Sequence, residues 1–159
     1  MSDAQDRLSI VESAPHHAVL DTQVVLDWLV FRDIGTERMV RSLETGTLHW
    51  ITCQAMLDEF EHVLSGSAIA AWMPDRATVS QTIEYLARQY EACIPPVTPL
   101  RCTDTDDQMF IDLALAAGAQ WLFTRDRALL RLARRARELG VIVLRPADWH
   151  PAMSPAVSR

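Results

Sequence analysis

Residues 103–132 restrict the fold more than any other part of the chain. Their sequence indicates an acidic loop, an apolar helix, a short buried strand over 120–123, and a polar step over 124–126 into another helix. Asp107 therefore begins a helix, whereas Asp126 closely follows a strand. Ligand sites of open α/β sheets lie at the carboxyl ends of the strands. This segment thus predicts an α/β fold with an acidic site at one edge of its sheet.

The rest of the chain alternates short apolar runs with amphipathic segments. The alternation predicts the element order β-α-α-β-α-α-α-β-α-β, and hence a three-layer α/β/α sandwich with a central, mostly parallel sheet. The predicted strands cover 18–20, 48–52, 120–123 and 141–144. One predicted helix runs from a cap at Asp75 or Thr78 to about Cys93, and another covers 127–139.

The length of the chain limits its domain organisation. Its 159 residues suffice for one domain with a proper hydrophobic core. We predict a loose N-terminal tail over 1–15, a single domain over 16–149 and a C-terminal tail over 150–159.

Several features predict a cytoplasmic protein. No apolar run approaches the length that spans a bilayer, and the N-terminus lacks the basic start and apolar stretch of a secretory signal. Cys53, Cys93 and Cys102 form no CxxC or Cys/His spacing. We therefore expect all three to be small, buried or semi-buried residues in a reducing compartment.

Carboxylates gather where the predicted strands and helices meet. Asp21 follows the strand over 18–20, Asp126 comes soon after the strand over 120–123, and Asp107 precedes a helix with Asp104 and Asp106 beside it. Converging carboxylates repel one another unless a cation neutralises them. Mg²⁺ and Mn²⁺ prefer such oxygen ligands, and one or two of these ions can activate a water and stabilise charge on a phosphate. Each acid taken alone fits a helix cap equally well.

The signatures of other enzyme classes and the overall charge also bear on the predicted metal site. The chain contains no dinucleotide or P-loop fingerprint and no nucleophile elbow, and position 23 is Gln where a phosphoaspartyl enzyme would need an acid. The net charge of −6 disfavours nucleic-acid binding in general, because such binding depends on neutralising phosphates. However, every basic residue other than His is Arg, and six of them cluster over 125–137.

Four segments resemble, in order and spacing, the motifs of a known family. They are VLDTQVV over 19–25, LDEFEHVL over 57–64, DTDDQMFIDLALAAGA over 104–119 and TRDRALL over 124–130. Together they resemble the PIN-domain family, and within it the bacterial toxin components of toxin–antitoxin systems. The resemblance extends from about Ala18 to Trp149.

The resemblance implies a metal-dependent endoribonuclease. It implies that Mg²⁺ or Mn²⁺ is held by Asp21, Glu59, Asp107 and Asp126. We expect supporting roles for Thr22, Gln23, Asp104 and Thr124. Our candidates for contacting the RNA backbone are Arg125, Arg127 and Arg131. The partners implied are a single-stranded or structured RNA substrate, an antitoxin protein and a second copy of the chain in a homodimer, with no membrane.

Two positions depart from the pattern of that family. Gln23 replaces the usual Asn, and its extra methylene shifts the amide by roughly one C–C bond, about 1.5 Å. Arg125 stands where this branch often has Gly, and adds a cation that would hold a substrate phosphate or weaken metal binding. Because of Gln23, one alternative stays open: a non-catalytic PIN-like module that binds RNA or protein through a degenerate site. A DNA nuclease of similar architecture also stays open, because the site alone does not distinguish RNA from DNA.

Overall fold

Five strands form one sheet in the computed structural model, which describes residues 14–72 and 75–155. The strands are β1 (His16–Leu20), β2 (Leu48–Thr52), β3 (Ala87–Gln89), β4 (Trp121–Phe123) and β5 (Ile142–Leu144). They lie in the order β3-β2-β1-β4-β5, and all neighbours are parallel. The strand order reverses between β1 and β4, so the carboxyl ends of these two strands form the switch point where such sheets bind ligands.

Helices cover both faces of this sheet. They are α1 (Thr22–Leu29), α2 (Glu37–Glu44), α3 (Gln54–Leu64), α4 (Ser67–Ala70), α5 (Arg76–Leu86), α6 (Gln108–Ala116), α7 (Arg127–Leu130) and α8 (Ala133–Glu138). Short 3₁₀ turns lie at Ile34–Thr36, Thr105–Asp107 and Pro146–Asp148.

The hydrophobic core has two halves, one on each face of the sheet. Ala18 and Leu20 of β1 point to the half that contains α1 and α2, whereas Val19 points to the half that contains α6 and α8. Alternate residues of a strand face opposite sides, which explains this division. The predicted three-layer α/β/α sandwich is therefore confirmed, and its sheet is parallel throughout.

The structure corrects the predicted helix that was to run to about Cys93. Helix α5 begins at the predicted cap Asp75, which accepts a hydrogen bond from the N–H of Ala77 at 2.9 Å, but it ends at Leu86. Residues 87–89 instead form the edge strand β3, which pairs with β2 from Trp50 onward. Helical spacing of apolar residues continues past Leu86 in the sequence. These residues form a strand instead, because the backbone of β2 provides hydrogen-bonding partners for them.

Two further predictions need correction. The helix predicted over 127–139 is divided into α7 and α8, with Leu132 between them donating its N–H to the Leu129 carbonyl at 2.9 Å. Cys53 and Cys102 are buried as expected, but Cys93 is exposed, in the loop that follows the edge strand.

Residues 1–13 of the predicted N-terminal tail and residues 156–159 of the predicted C-terminal tail lie outside the described residues. Trp149 packs edge-on against Phe123 and Trp121, with ring centroids 5.5 and 6.0 Å away.

Within 14–72 and 75–155, no helix has both the length and the apolar character needed to cross a membrane.

Candidate metal centre

Asp21 lies at the switch point, between the end of β1 and the start of α1. Its side chain caps α1 by accepting a hydrogen bond from the N–H of Val24 at 2.8 Å, and the residue is only 3% exposed. Burial raises the pKa of Asp21 to about 6, against the effect of hydrogen bonds from Thr124 and Val24. Helix capping and a place in the site are therefore not alternatives for this residue, because each of its two oxygens accepts one hydrogen bond and keeps a second lone pair for a ligand.

Thr124 connects the ends of β1 and β4. It is fully buried directly after β4, and its hydroxyl donates a hydrogen bond to Asp21. The same hydroxyl oxygen accepts a hydrogen bond from the N–H of Asp126 at 2.9 Å. One side chain thus fixes the carboxylate of one site acid and the backbone of another.

Asp104, Asp107 and Asp126 form a cluster of acids. Each offers a carboxylate oxygen, and these oxygens lie within 4.8 Å of one another. Burial, together with the nearby charges of Asp126 and Asp104, raises the pKa of Asp107 to about 7. The structure thus brings together carboxylates that repel one another when charged, as the sequence suggested.

Local caps hold these acids in place. Asp126 accepts hydrogen bonds from the N–H groups of Ala128 and Leu129 at 2.7 and 3.3 Å, which caps α7. Asp104 accepts one from the N–H of Asp106 at 3.0 Å at the start of the 3₁₀ turn. Each cap uses one carboxylate oxygen, so the other oxygen can face a ligand.

Glu59 belongs to α3, which packs against α1. Its carboxylate accepts a hydrogen bond from the hydroxyl of Thr22, which links α3 to the first turn of α1. The acids Asp21, Glu59, Asp107 and Asp126 all line one cleft of about 240 Å³. Its other lining residues are Thr22, Gln23, Leu26, Val63 and Phe110. Asp106, the other auxiliary acid, is exposed and does not line this cleft.

The donor set of this cleft fits a hard divalent cation. Its charged lining consists of carboxylates from four separate segments, with no Cys or His among the lining residues. Oxygen ligands of this kind suit Mg²⁺ and Mn²⁺, whereas softer metals favour sulfur and imidazole. A bound cation would also relieve the repulsion that raises the pKa of Asp107.

Asp27 is a residue near the site that the sequence analysis missed. The residue is only 3% exposed. Its carboxylate accepts hydrogen bonds from Gln23 Nε2 at 2.9 Å and from Arg125 Nη1 at 2.5 Å. Asp33 lies 3.8 Å from the same guanidinium nitrogen. The only sequence signal was an acid inside an otherwise apolar helix, four residues after Gln23.

The three arginines proposed to contact RNA differ in their surroundings. Arg125 forms the ion pair with Asp27, and its side chain remains 50% exposed. Arg127 and Arg131 are exposed on and just after α7, and neither forms an ion pair with an acid in the described ranges.

Comparison with known proteins gives one match. The model of a family described as PIN domain matches residues 17–128. This range contains the four cleft acids and extends from β1 through the first residues of α7. Neither the search of curated proteins nor the search of solved structures found a match.

Proposed function

The chain belongs to the PIN domain family, and we propose that it is a metal-dependent endoribonuclease that cleaves RNA phosphodiester bonds. PIN domains are generally metal-dependent nucleases. The observation that carries the proposal is the convergence of Asp21, Glu59, Asp107 and Asp126 on one cleft at the switch point of the sheet.

The proposed reaction needs no nucleophile from the protein. Asp107 and Asp126, with Asp104 beside them, would hold Mg²⁺ or Mn²⁺, and Asp21 and Glu59 complete the acidic wall. When bound, the metal supplies an activated water and neutralises charge that develops on the phosphate. Thr124 and Thr22 keep Asp21 and Glu59 oriented by hydrogen bonding, which preorganises the carboxylates before substrate arrives.

The RNA backbone would lie along the exposed arginines next to the cleft. Arg127 directly follows Asp126, and Arg131 is one helical turn further on, so both cations start from the edge that carries the acids. Arg125 would add its exposed half to the same surface. This arrangement reconciles RNA binding with a net charge of −6, because the positive charge is local.

The first test is cleavage of a mixed-sequence single-stranded RNA by purified protein in Mn²⁺, with and without EDTA. Asp126→Asn is the informative variant, because Asn preserves the α7 cap while removing the charge. Asp106→Asn is its charge-matched control, since this acid of the 3₁₀ turn next to Asp107 lies outside the cleft. We expect cleavage by the wild type and by Asp106→Asn only, and none in EDTA. The same assay with DNA of equal sequence decides between RNA and DNA as substrate.

The resemblance of the motifs supports a physiological role as the toxin of a toxin–antitoxin pair. In that role a homodimer would be held inactive by an antitoxin that blocks the cleft. Induced expression of the wild-type chain in a bacterial host should then arrest growth, and expression of Asp126→Asn should not. Equal growth with both chains, at equal protein levels, would argue against a toxin while leaving the nuclease assay unaffected.

One observation favours a second candidate, a non-catalytic module that binds RNA or protein. The amide of Gln23 is hydrogen-bonded to Asp27, an acid that does not line the cleft, so part of the expected support is directed away from it. If wild type is inactive, Gln23→Asn should be assayed next. Cleavage by Gln23→Asn would identify a degenerate site, and continued inactivity with RNA binding retained would favour the binding module.

A further inference from the structure

Two consecutive residues after β4 are bound to the two ends of α1. Thr124 donates a hydrogen bond to Asp21 at the N-terminus of the helix. Arg125 donates one to Asp27, near its C-terminus, at 2.5 Å. The next residue is Asp126, whose carboxylate lies in the acidic cluster.

We propose that the ion pair between Arg125 and Asp27 positions Asp126 for metal binding. Arg125 and Asp27 are then positioning residues, and the cation next to the acids strengthens the site that its charge alone would weaken. This inference rests on the proposed metal-dependent function and adds to it two residues outside the acidic cluster.

The burial of Asp27 gives the ion pair its strength. The Asp27 side chain is only 5% exposed, whereas a surface ion pair has both partners in water and contributes little. A buried carboxylate that lost its cation would be left uncompensated, which is strongly unfavourable. The ion pair therefore holds the loop that carries Asp126 against α1, and breaking it is strongly unfavourable in free energy.

The direction of the Arg125 side chain supports the same conclusion. Its first guanidinium nitrogen approaches Asp27 at 2.5 Å and Asp33 at 3.8 Å, and neither of these acids lines the cleft. Hydrogen bonding to Asp27 raises the pKa of Arg125 still further, so the residue stays charged. The side chain thus uses part of its donors to bind α1, through an acid that does not line the cleft.

A positioning role and simple electrostatic repulsion predict opposite changes in metal affinity when Arg125 is replaced. If Arg125 only repels cations, removing its charge strengthens Mn²⁺ binding. If Arg125 positions Asp126, removing it weakens binding by about 10- to 100-fold, the usual effect of losing a contact that orients a metal ligand.

The test is calorimetric titration of Mn²⁺ into RNA-free protein. The central variant is the double substitution Asp27→Leu and Arg125→Met, which keeps the net charge and leaves no buried charge without a partner. Positioning predicts that it binds Mn²⁺ at least about 10-fold more weakly than wild type, whereas electrostatics predicts unchanged affinity. Arg125→Gln should be comparably weakened, and Arg125→Lys should recover most of the affinity because it retains the ion pair. Arg134→Gln, which removes an exposed arginine on α8, is the charge-matched control.

The outcomes separate the inference from the proposed function. Circular dichroism at the titration temperature first establishes that each variant is folded. Wild-type or tighter affinity in both the double variant and Arg125→Gln would overturn the positioning role while leaving the metal site intact. Failure of the wild type itself to bind Mn²⁺ would overturn both. Weak binding by the double variant and by Arg125→Gln, with recovery in Arg125→Lys, supports the positioning role.

Discussion

The hydroxyl of Thr124 donates its hydrogen bond to the carboxylate of Asp21, and this contact joins the ends of β4 and β1. Both residues are buried, so the hydrogen bond is shielded from competing water. It favours the charged form of Asp21, whereas burial favours the neutral form, and burial prevails because the pKa is still raised to about 6. In the absence of a cation, the charged form of Asp21 is therefore disfavoured, and a bound cation would favour it.

Thr124→Val should weaken both the fold and the site. The substitution keeps the shape of the side chain but removes one of the two hydrogen bonds to the buried Asp21 carboxylate, which keeps only that from Val24, and leaves the N–H of Asp126 without its acceptor. We expect a loss of about 1–3 kcal/mol in the free energy of unfolding, measured with urea. Mn²⁺ affinity should fall by about 10- to 100-fold. Thr82→Val, which removes an exposed hydroxyl bonded only to the Thr78 carbonyl, is the control and should change neither quantity appreciably.

The pH dependence of stability should be opposite without and with metal. Asp21 and Asp107 have pKa values of about 6 and about 7 in the folded protein, above the ordinary value of 3.8. The folded state thus binds more protons than the unfolded state between these limits, and stability falls as pH rises. In EDTA, the urea midpoint should therefore decrease from about pH 4 to pH 7 and level off above.

Metal binding reverses this trend, because the ligands must be deprotonated. The affinity for Mn²⁺ should rise through the same pH interval in which the metal-free protein loses stability. Asp107→Asn should flatten the EDTA profile near pH 7, since it removes the higher of the two pKa values. A wild-type urea midpoint that increases with pH in EDTA would contradict the raised pKa values of Asp21 and Asp107.

The sequence predicted the sheet and the acidic site for the same physical reason. Short apolar runs can be buried only as central strands, and Asp21 and Asp126 follow two of them, so the register of β1 with β4 brings these acids to one edge. Glu59 was predicted by resemblance alone. Its helix has other exposed acids, and nothing in their spacing identifies the one that faces the cleft.

The edge strand and the ion pair were missed because both depend on distant partners. Residues 87–89 have no alternating pattern, and they become a strand only because β2 offers a free edge. Asp27 lies in an apolar helix, and the cation that compensates its buried charge is Arg125, 98 positions later. Local periodicity contains no information on either contact.

Arg127 and Arg131 should contribute to RNA binding without sequence preference. Both are exposed beside the acidic edge, and contacts with phosphate depend on charge. In an Asp126→Asn background, which prevents cleavage, Arg127→Gln and Arg131→Gln should each weaken binding to unrelated RNA sequences by a similar factor. Each should also lower the salt slope, measured by fluorescence anisotropy, by about one. Arg134→Gln, on α8 and next to Glu138, should leave the slope unchanged, and an unchanged slope in all three would exclude the contact.

Asp126→Asn should separate stability from activity. Its α7 cap survives, because Asn accepts the same hydrogen bonds from the N–H groups of Ala128 and Leu129. The repulsion that raises the pKa of Asp107 is reduced, so the metal-free variant should be at least as stable as wild type in urea at pH 8. Cleavage should nevertheless fall by about 100-fold or more, since a charged group at the reacting centre is lost. Asp75→Asn caps α5 in the same way, far from the cleft, and should leave cleavage unchanged. Loss of stability in Asp126→Asn, with activity lost in proportion, would mean that Asp126 is a helix cap and not a ligand.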